Sequence, residues 1–357
     1  MPRTLKLLPF VCALAALLPL CAPAALAWQG ATAPDSQFEQ AIVVYHKGDF
    51  KSAVKEFRAV VRRRKDDPLA WVFLAQALTQ RGELKEARKA LDTALNLSPD
   101  YALAHASLAY LLMVSGKGRD AEAEVTKAIS LDPKLTDGHY VLGLLRLRQE
   151  AWLKALEEAE AVIKLDPTSP GAYSLKTQAL LELYDRGNAV LSEERRGTYD
   201  YDEATIAEAR AAQPRRLKEA SESLAEYLRL QPDAKDADEL RDEIETLRAY
   251  AEASASVDPL RKIYAATEGI TRAVITFKPE PGFTDEARNA NIQGLVRLRA
   301  VLADDGMVKH ILVLRRLSYG LTEKAVKAAR QIKFKPATLG GRPVSQFVVL
   351  EYNFNIY

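Results

Sequence analysis

Cysteine is almost missing from this chain of 357 residues, and its two copies, Cys12 and Cys21, both lie near the start. Arg3 and Lys6 precede an apolar stretch, Leu7 to Leu20, and Ala25-Leu26-Ala27 follows with small residues at its outer positions. This is the pattern of a cleaved secretory leader over residues 1–27. Pro9, Pro19 and Pro23 break up the roughly 20 apolar residues that a spanning helix needs. A retained N-terminal anchor is the alternative, and Leu20 before Cys21 argues against a lipid-modified cysteine. Without the leader the expected mature chain has no thiol, which excludes disulfides, thiolate nucleophiles and cysteine metal sites.

Net charge is also lacking. Removing Arg3 and Lys6 leaves 48 Lys/Arg against 48 Asp/Glu, a balance that argues against a nucleic-acid partner. No later segment is apolar enough to span a membrane. The four histidines, His46, His105, His139 and His310, show no His-Glu-x-x-His spacing. Ser115-Gly116-Lys117-Gly118 lacks the spacing of a phosphate-binding loop, and no nucleophile stands beside a base. Neither an enzyme nor a cofactor is expected. The charge that is present is unevenly spread: residues 265–357 carry 14 Lys/Arg against 8 Asp/Glu, a surplus of +6, so residues 28–264 carry −6. The two regions therefore invite different partners.

Periodicity dominates the first of them. Pro99, Pro133 and Pro167 are 34 residues apart. Ahead of each proline the same residue types recur in register: Trp71, Leu74, Ala75, Leu78, Gly82, Ala87, Leu91 and Ala94; then His105, Leu108, Ala109, Leu112, Gly116, Ala121, Val125 and Ala128; then His139, Leu142, Gly143, Ala155, Ala159 and Val162. Small residues at fixed positions let one helix of a hairpin approach the other, and the proline ends the second helix. One hairpin cannot bury its apolar face alone, so the units must stack. The pattern resembles the tetratricopeptide repeat (TPR). A divergent first unit includes Gly48, Ala53, Phe57 and Val60. A fifth starts near Tyr173 and resumes at Ala220, Leu224, Tyr227 and Pro232 after an insertion near 187–213, where Arg195 to Asp202 is expected to form an exposed loop. Residues 236–253 read as a capping helix with Leu240, Ile244, Leu247 and Tyr250 on one face. The TPR resemblance implies a concave groove that holds a second protein or peptide. In the repeat register the groove candidates are Gln76, Tyr110, Tyr140 and Arg148; packing between repeats is the competing reading for the tyrosines.

After residue 265 the pattern alternates. Val296, Leu298, Ala300 and Leu302 lead to Asp304-Asp305-Gly306, a turn signal, and Val308, His310, Leu312 and Leu314 follow. Leu321, Ala325, Ala329 and Ile332 have helical spacing, with Thr322 a candidate cap. Gly340-Gly341 turns the chain into a 14-residue alternating run, Val344 to Tyr357, longer than usual for one strand. The predicted fold is multidomain: an all-α solenoid over residues 35–253, a linker at 254–275, and a small α+β domain over 276–357 with helices on a three-stranded antiparallel sheet.

The landmarks of that last domain resemble the C-terminal domain of the TonB family. Pro281, Phe283 and Ala287 match its opening Pro-x-Tyr-Pro-x-x-Ala motif, with Thr284 replacing the second proline. Gly294 and Val296 match its first strand, Gly306 and Val308 its hairpin, Phe334, Pro336 and Ala337 its Phe-x-Pro-Ala segment, and Gly341, Pro343 and Val344 its last turn. The resemblance implies a periplasmic domain that takes a TonB box-like segment of an outer-membrane transport receptor as an added strand. The expected edge is Val344, Gln346, Val348, Leu350, Tyr352, Phe354 and Ile356. A standard family member also has an uncleaved N-terminal helix that contacts an inner-membrane motor and a Pro-rich spacer. Residues 1–27 contain no His, Asp or Glu, and the repeats stand in the spacer's place. A motor contact therefore requires a retained N-terminus. A periplasmic scaffold for envelope assembly, with no transport role, is the alternative.

Overall fold

The computed structural model describes residues 36–355 apart from 197–200, 235, 256–262, 265–268, 290–291, 316 and 318. The expected leader and Ile356 lie outside the described residues. Among the described residues, eleven helices are followed by a small domain that adds two more to a three-stranded antiparallel sheet. No helix among the described residues is long and apolar enough to cross a membrane. The chain divides into two compact units between Ala179 and Leu180.

The first unit is a run of helical hairpins: α1 (Ser36–His46) with α2 (Phe50–Arg63), α3 (Pro68–Gln80) with α4 (Leu84–Leu97), α5 (Ala102–Val114) with α6 (Gly118–Leu131), α7 (Thr136–Arg148) with α8 (Trp152–Leu165), and the start of α9 (Pro170–Arg196). Local chemistry starts and stops the helices. Asp49 accepts from the Ser52 amide at 3.1 Å and Asp67 from the Leu69 amide at 3.0 Å, with Pro68 as the first residue of α3. Gly48, Gly82 and Gly116 take left-handed φ values of 77°, 77° and 79° between the helices of their hairpins. The small repeat residues Ala75, Ala109, Ala87, Ala121 and Ala155 are all 0 % exposed. At Gly143 an added Cβ would stand 2.5 Å from Leu175 Cδ2, so this repeat closes even more tightly.

One set of polar contacts repeats with the same period. Trp71 Nε1 donates to the Lys65 carbonyl at 2.8 Å, and the Tyr173 hydroxyl to the Pro167 carbonyl at 3.1 Å. Between them, His105 Nε2 lies 2.9 Å from the Pro99 carbonyl and His139 Nε2 3.1 Å from the Pro133 carbonyl. Each side chain reaches back six residues to hold the turn between repeats, which a carbonyl at a helix end needs. His105 and His139 thus hold inter-repeat turns by hydrogen bonding.

The second unit begins in α9 and continues through α10 (Glu203–Leu230) and α11 (Ala237–Ala255). The residues expected as an insertion mostly lengthen helices: α9 has 27 residues and α10 has 28. Of the expected loop, residues 197–200 lie outside the described residues, and Asp202 caps α10 by accepting from the Thr205 amide at 2.6 Å. Apolar and small residues continue through Ala209, Ala212 and Leu217, which is why the pattern carries on as buried helix.

The sheet has the order β3-β2-β7, where β2 is Gly294–Leu302, β3 Val308–Arg315 and β7 Gln346–Phe354. Short strands β1 (Val274–Phe277) and β4 (Lys333–Lys335) pair with each other, as do β5 (Ala337–Leu339) and β6 (Arg342–Val344); α12 (Asp285–Asn289) and α13 (Leu321–Arg330) complete the domain. One face buries Val296, Leu298, Ala300, Leu350, Tyr352 and Phe354 against Leu321, Ala325 and Ala329 of α13. Thr322 does not cap that helix, whose N-cap is Gly320. Instead its hydroxyl accepts from the Leu317 amide and donates to the Leu317 carbonyl, both at 2.8 Å. The expected 14-residue strand is broken at Ser345, because Arg342–Val344 folds back on β5 as a hairpin.

Candidate functional site

Among the described residues the sheet order β3-β2-β7 leaves β7 with a strand neighbour on one side only. All nine residues of β7 pair with β2, from Gln346 opposite Leu302 to Phe354 opposite Gly294. Backbone groups on an antiparallel strand alternate between its two sides. Phe347 and Glu351 point away from β2, because the Phe347 amide donates to the Tyr264 carbonyl at 2.9 Å and the Glu351 carbonyl accepts from Lys278 Nζ at 2.7 Å. Val349 and Asn353 share that direction. Among the described residues nothing pairs with the outward backbone of Val349 or Asn353, or with the Glu351 amide.

The open stretch runs from Val349 to Asn353, about 17 Å of strand. It is closed at its start, where Tyr264 bridges Gln346 and the Gln346 side chain accepts from the Ala273 amide at 2.7 Å. Lys278 lies across its middle, with Nζ 4.4 Å from the centre of the Tyr352 ring. Val349 on this stretch, and Val274 and Phe277 of β1, whose flanking residues Ala273 and Lys278 reach β7, are 53 %, 55 % and 56 % exposed.

Of the expected edge residues, Gln346, Leu350, Tyr352 and Phe354 are buried and Val348 is half-buried. Their side chains face the sheet's packed side, so what β7 offers a partner strand is main chain. Val344 belongs to β6, where it pairs with Ala337. The contacts that reach the open side, from Tyr264, Ala273 and Lys278, come from segments whose sequences carry no periodic signal.

Arg299 marks the opposite face of the sheet. Its guanidinium sits 4.5 Å from the Phe347 ring centre and 5.5 Å from that of Tyr250, and Nη1 donates to the Tyr184 hydroxyl at 2.6 Å. The Tyr250 hydroxyl donates to the His310 carbonyl at 2.9 Å. His310 takes a left-handed φ of 48° where the β2–β3 register slips, a bulge that bends the strand. Helices α9 and α11 thus cover this face. The capping-helix residues Leu240, Ile244, Leu247 and Tyr250 are all buried, with Tyr250 and Leu247 at 0 %.

The groove candidates in the repeat array lie deep. Gln76, Tyr110 and Tyr140 are 5 %, 7 % and 2 % exposed. Gln76 Nε2 donates to Ser107 Oγ at 3.0 Å, tying α3 to α5, and Arg148 donates to the Met113 carbonyl, tying α7 to α5. Gln76 and Arg148 thus join neighbouring first helices of successive repeats, and the three buried residues expose little surface. Among the described residues no cluster of His, Cys, Asp or Glu is arranged to hold a metal.

A family model described as the Gram-negative bacterial TonB protein C-terminal matches residues 279–356, and a tetratricopeptide repeat model matches residues 38–102 and 107–170. This is a tetratricopeptide-repeat chain with a TonB-type C-terminal domain. Both parts are protein-interaction modules. No curated protein matches the chain. Among solved structures, a thermophilic TPR protein of Thermus thermophilus is 18 % identical, with a TM-score of 0.43 over 59 % of this chain and 96 % of that one. MamA is 19 % identical, with a TM-score of 0.33 over 56 % and 97 %. PilW, a type IV pilus biogenesis factor, is 16 % identical, with a TM-score of 0.40 over 60 % and 86 %.

Proposed function

We propose that this TPR–TonB-type chain is a periplasmic protein that engages outer-membrane receptors by adding a receptor segment to β7, in support of transport across that membrane, while the repeat array recruits a second protein. The observation that carries the reading is that, among the described residues, the outward backbone groups of Val349 and Asn353 and the Glu351 amide have no partner on the last strand of a TonB-type domain. Main-chain hydrogen bonds there would supply affinity, and the exposed Val349, Val274 and Phe277 would favour an apolar side chain on the guest. The +6 surplus of residues 265–357 would speed encounter with an acidic receptor segment. Inner-membrane motor contact belongs to this reading only if the N-terminus is retained.

Val349→Pro tests it. The Val349 amide points away from β2, so proline removes one outward donor and leaves the internal ladder intact, as edge strands tolerate. Binding of TonB box-like peptides to the full chain should fall at least tenfold, with the thermal midpoint nearly unchanged. Undiminished peptide binding by a folded variant would sink the β7 edge as the site. Peptide binding to the intact chain combined with normal receptor-dependent uptake after gene deletion would favour the scaffold role in envelope assembly.

A further inference from the structure

Helix α2 carries a charge pattern that neither the repeat fold nor the strand edge requires. Residues 47–65 contain eight Lys/Arg and two Asp/Glu, a net +6, whereas residues 66–264 contain 26 Lys/Arg and 36 Asp/Glu, a net −10. The helix buries Ala53, Val54, Phe57, Val60 and Val61 on one side. On the other, Lys51, Lys55, Arg58 and Arg62 recur at intervals of four, three and four residues and are all exposed. They form a basic row about 16 Å long. Arg81, at the end of α3, joins them at the rim of an open hollow of about 570 Å³.

The charges on this row are mostly uncompensated. Arg58 pairs with Glu86 at 2.5 Å and Glu83 at 3.7 Å, and Arg81 pairs with Glu83 at 2.9 Å. Lys51, Lys55 and Arg62 make no ion pair with a described acid. None of the residues lining the hollow is an exposed large apolar side chain, so charge is the feature that sets this face apart.

From this geometry we infer that the α2 row docks on an anionic phospholipid surface. A single phosphate would be met by two or three converging cations; here the cations are spaced along a line, matching negative charge repeated across a plane. The opposite charge of the remaining helical region selects the same partner. An anionic bilayer attracts this first-repeat face and repels the net-negative sequence that follows, so contact is confined to one end of the array. The inference is independent of the β7 edge, since it rests on no residue of the C-terminal sheet domain.

The test is sedimentation of the full chain with vesicles of phosphatidylcholine, with and without phosphatidylglycerol, beside two variants that carry the same leader. One is Lys51→Glu/Lys55→Glu/Arg58→Glu/Arg62→Glu. The other makes the same charge change on exposed lysines elsewhere in the array: Lys89→Glu/Lys134→Glu/Lys154→Glu/Lys164→Glu. Each basic residue held at an anionic bilayer adds roughly fivefold to partitioning, so the first variant should lose about a hundredfold or more of its phosphatidylglycerol-dependent binding. The second should lose less than about tenfold, and high salt should abolish the difference. Circular dichroism and thermal midpoints check that both variants remain folded. Equal losses in the two variants would overturn the proposal, as would binding indifferent to phosphatidylglycerol. Binding of the row to a polyglutamate peptide but not to vesicles would also overturn it, in favour of an acidic protein.

Discussion

The two compact units of this chain solve the same problem, burial of a small apolar core, by opposite means. The array makes one set of contacts again and again at a spacing of 34 residues: Ala75, Ala109 and Gly143 in the first helices, Ala87, Ala121 and Ala155 in the second, and a donor at 71, 105, 139 and 173 reaching back to a carbonyl. The C-terminal unit relies on contacts that occur once. Arg299 meets Tyr184 across 115 residues of sequence and Tyr250 meets His310 across 60, and neither contact is repeated among the described residues. Repetition therefore spreads stability over many modest terms, and singular contacts concentrate it.

The largest expected effect tests that concentration. Arg299→Ala removes a cation stacked on two rings and bonded to Tyr184, leaves the Tyr184 hydroxyl without its donor, and opens a gap between α11 and the sheet. A loss of about 3 kcal/mol in urea-unfolding stability is expected, with Arg299→Lys recovering under half of it because the planar stack is not restored. Hydrogen exchange should accelerate in α11 and β3 while α3 to α8 stay protected. Loss of protection spread evenly through the array would break the contrast between the two regions.

Within the array the largest effect should fall where the repeat is least standard. Gly143 stands at the position of Ala75 and Ala109, yet a Cβ there meets Leu175 Cδ2 at 2.5 Å and Glu158 Cβ at 3.2 Å. Gly143→Ala restores the repeat pattern and should still destabilise by about 1–2 kcal/mol through overpacking. Pairing it with Leu175→Val should recover about half. A neutral or stabilising Gly143→Ala would mean that consensus outweighs local fit here.

The same contrast explains what could be read from the sequence. Hairpins α3–α4, α5–α6 and α7–α8 were legible because each repeats its neighbours, and β2, the β2–β3 turn and α13 because alternation and helical spacing reveal which side is buried. The Arg299 stack was not legible, since an arginine in an alternating strand looks like a solvated residue until α9 and α11 are placed over it. Nor was the Lys278 contact that crosses the β7 edge, because nothing in Phe277-Lys278-Pro279 distinguishes it from any surface segment. The donor series was visible in principle: Trp71, His105, His139 and Tyr173 are the same 34 residues apart, and all carry an N–H or O–H. The recurring feature is the donor and not the ring.

His139 of that series makes the array sensitive to pH. His139 Nε2 faces the Pro133 carbonyl, which can only accept, and Nδ1 lies 2.8 Å from Glu158 Oε2. Both bonds are strongest with a doubly protonated ring beside a carboxylate. The Glu158 hydrogen bond raises the His139 pKa above its ordinary 6.5, burial opposes it, and the charge of Asp132 adds to the rise. A raised folded-state value means that the stabilisation is complete below the unfolded pKa and is lost as pH climbs through the folded one. Urea midpoints should therefore fall as pH rises from below 6.5 through the raised folded-state value. In His139→Phe this part of the fall should be gone. A variant with the original pH profile would place the sensitivity elsewhere.

The smallest effect concerns a turn that departs from its own repeat. Gly48, Gly82 and Gly116 hold left-handed φ values of 77°, 77° and 79°, and the next position in the series is Glu150, at 58°. A side chain in that region crowds its own backbone, which glycine avoids. Glu150→Gly should stabilise the array by about 0.5–1 kcal/mol, because relief of that crowding exceeds the added freedom of the unfolded chain. Gly116→Ala should cost a similar amount in the opposite direction. Nothing in the structure crowds a Cβ at Gly116, so that cost would come from backbone conformation alone. If urea midpoints moved oppositely in the two variants and by similar amounts, the turns would be interchangeable units, as a repeating architecture requires. A destabilising Glu150→Gly would show instead that this turn has been fitted to its neighbours as individually as Arg299 has been to its own.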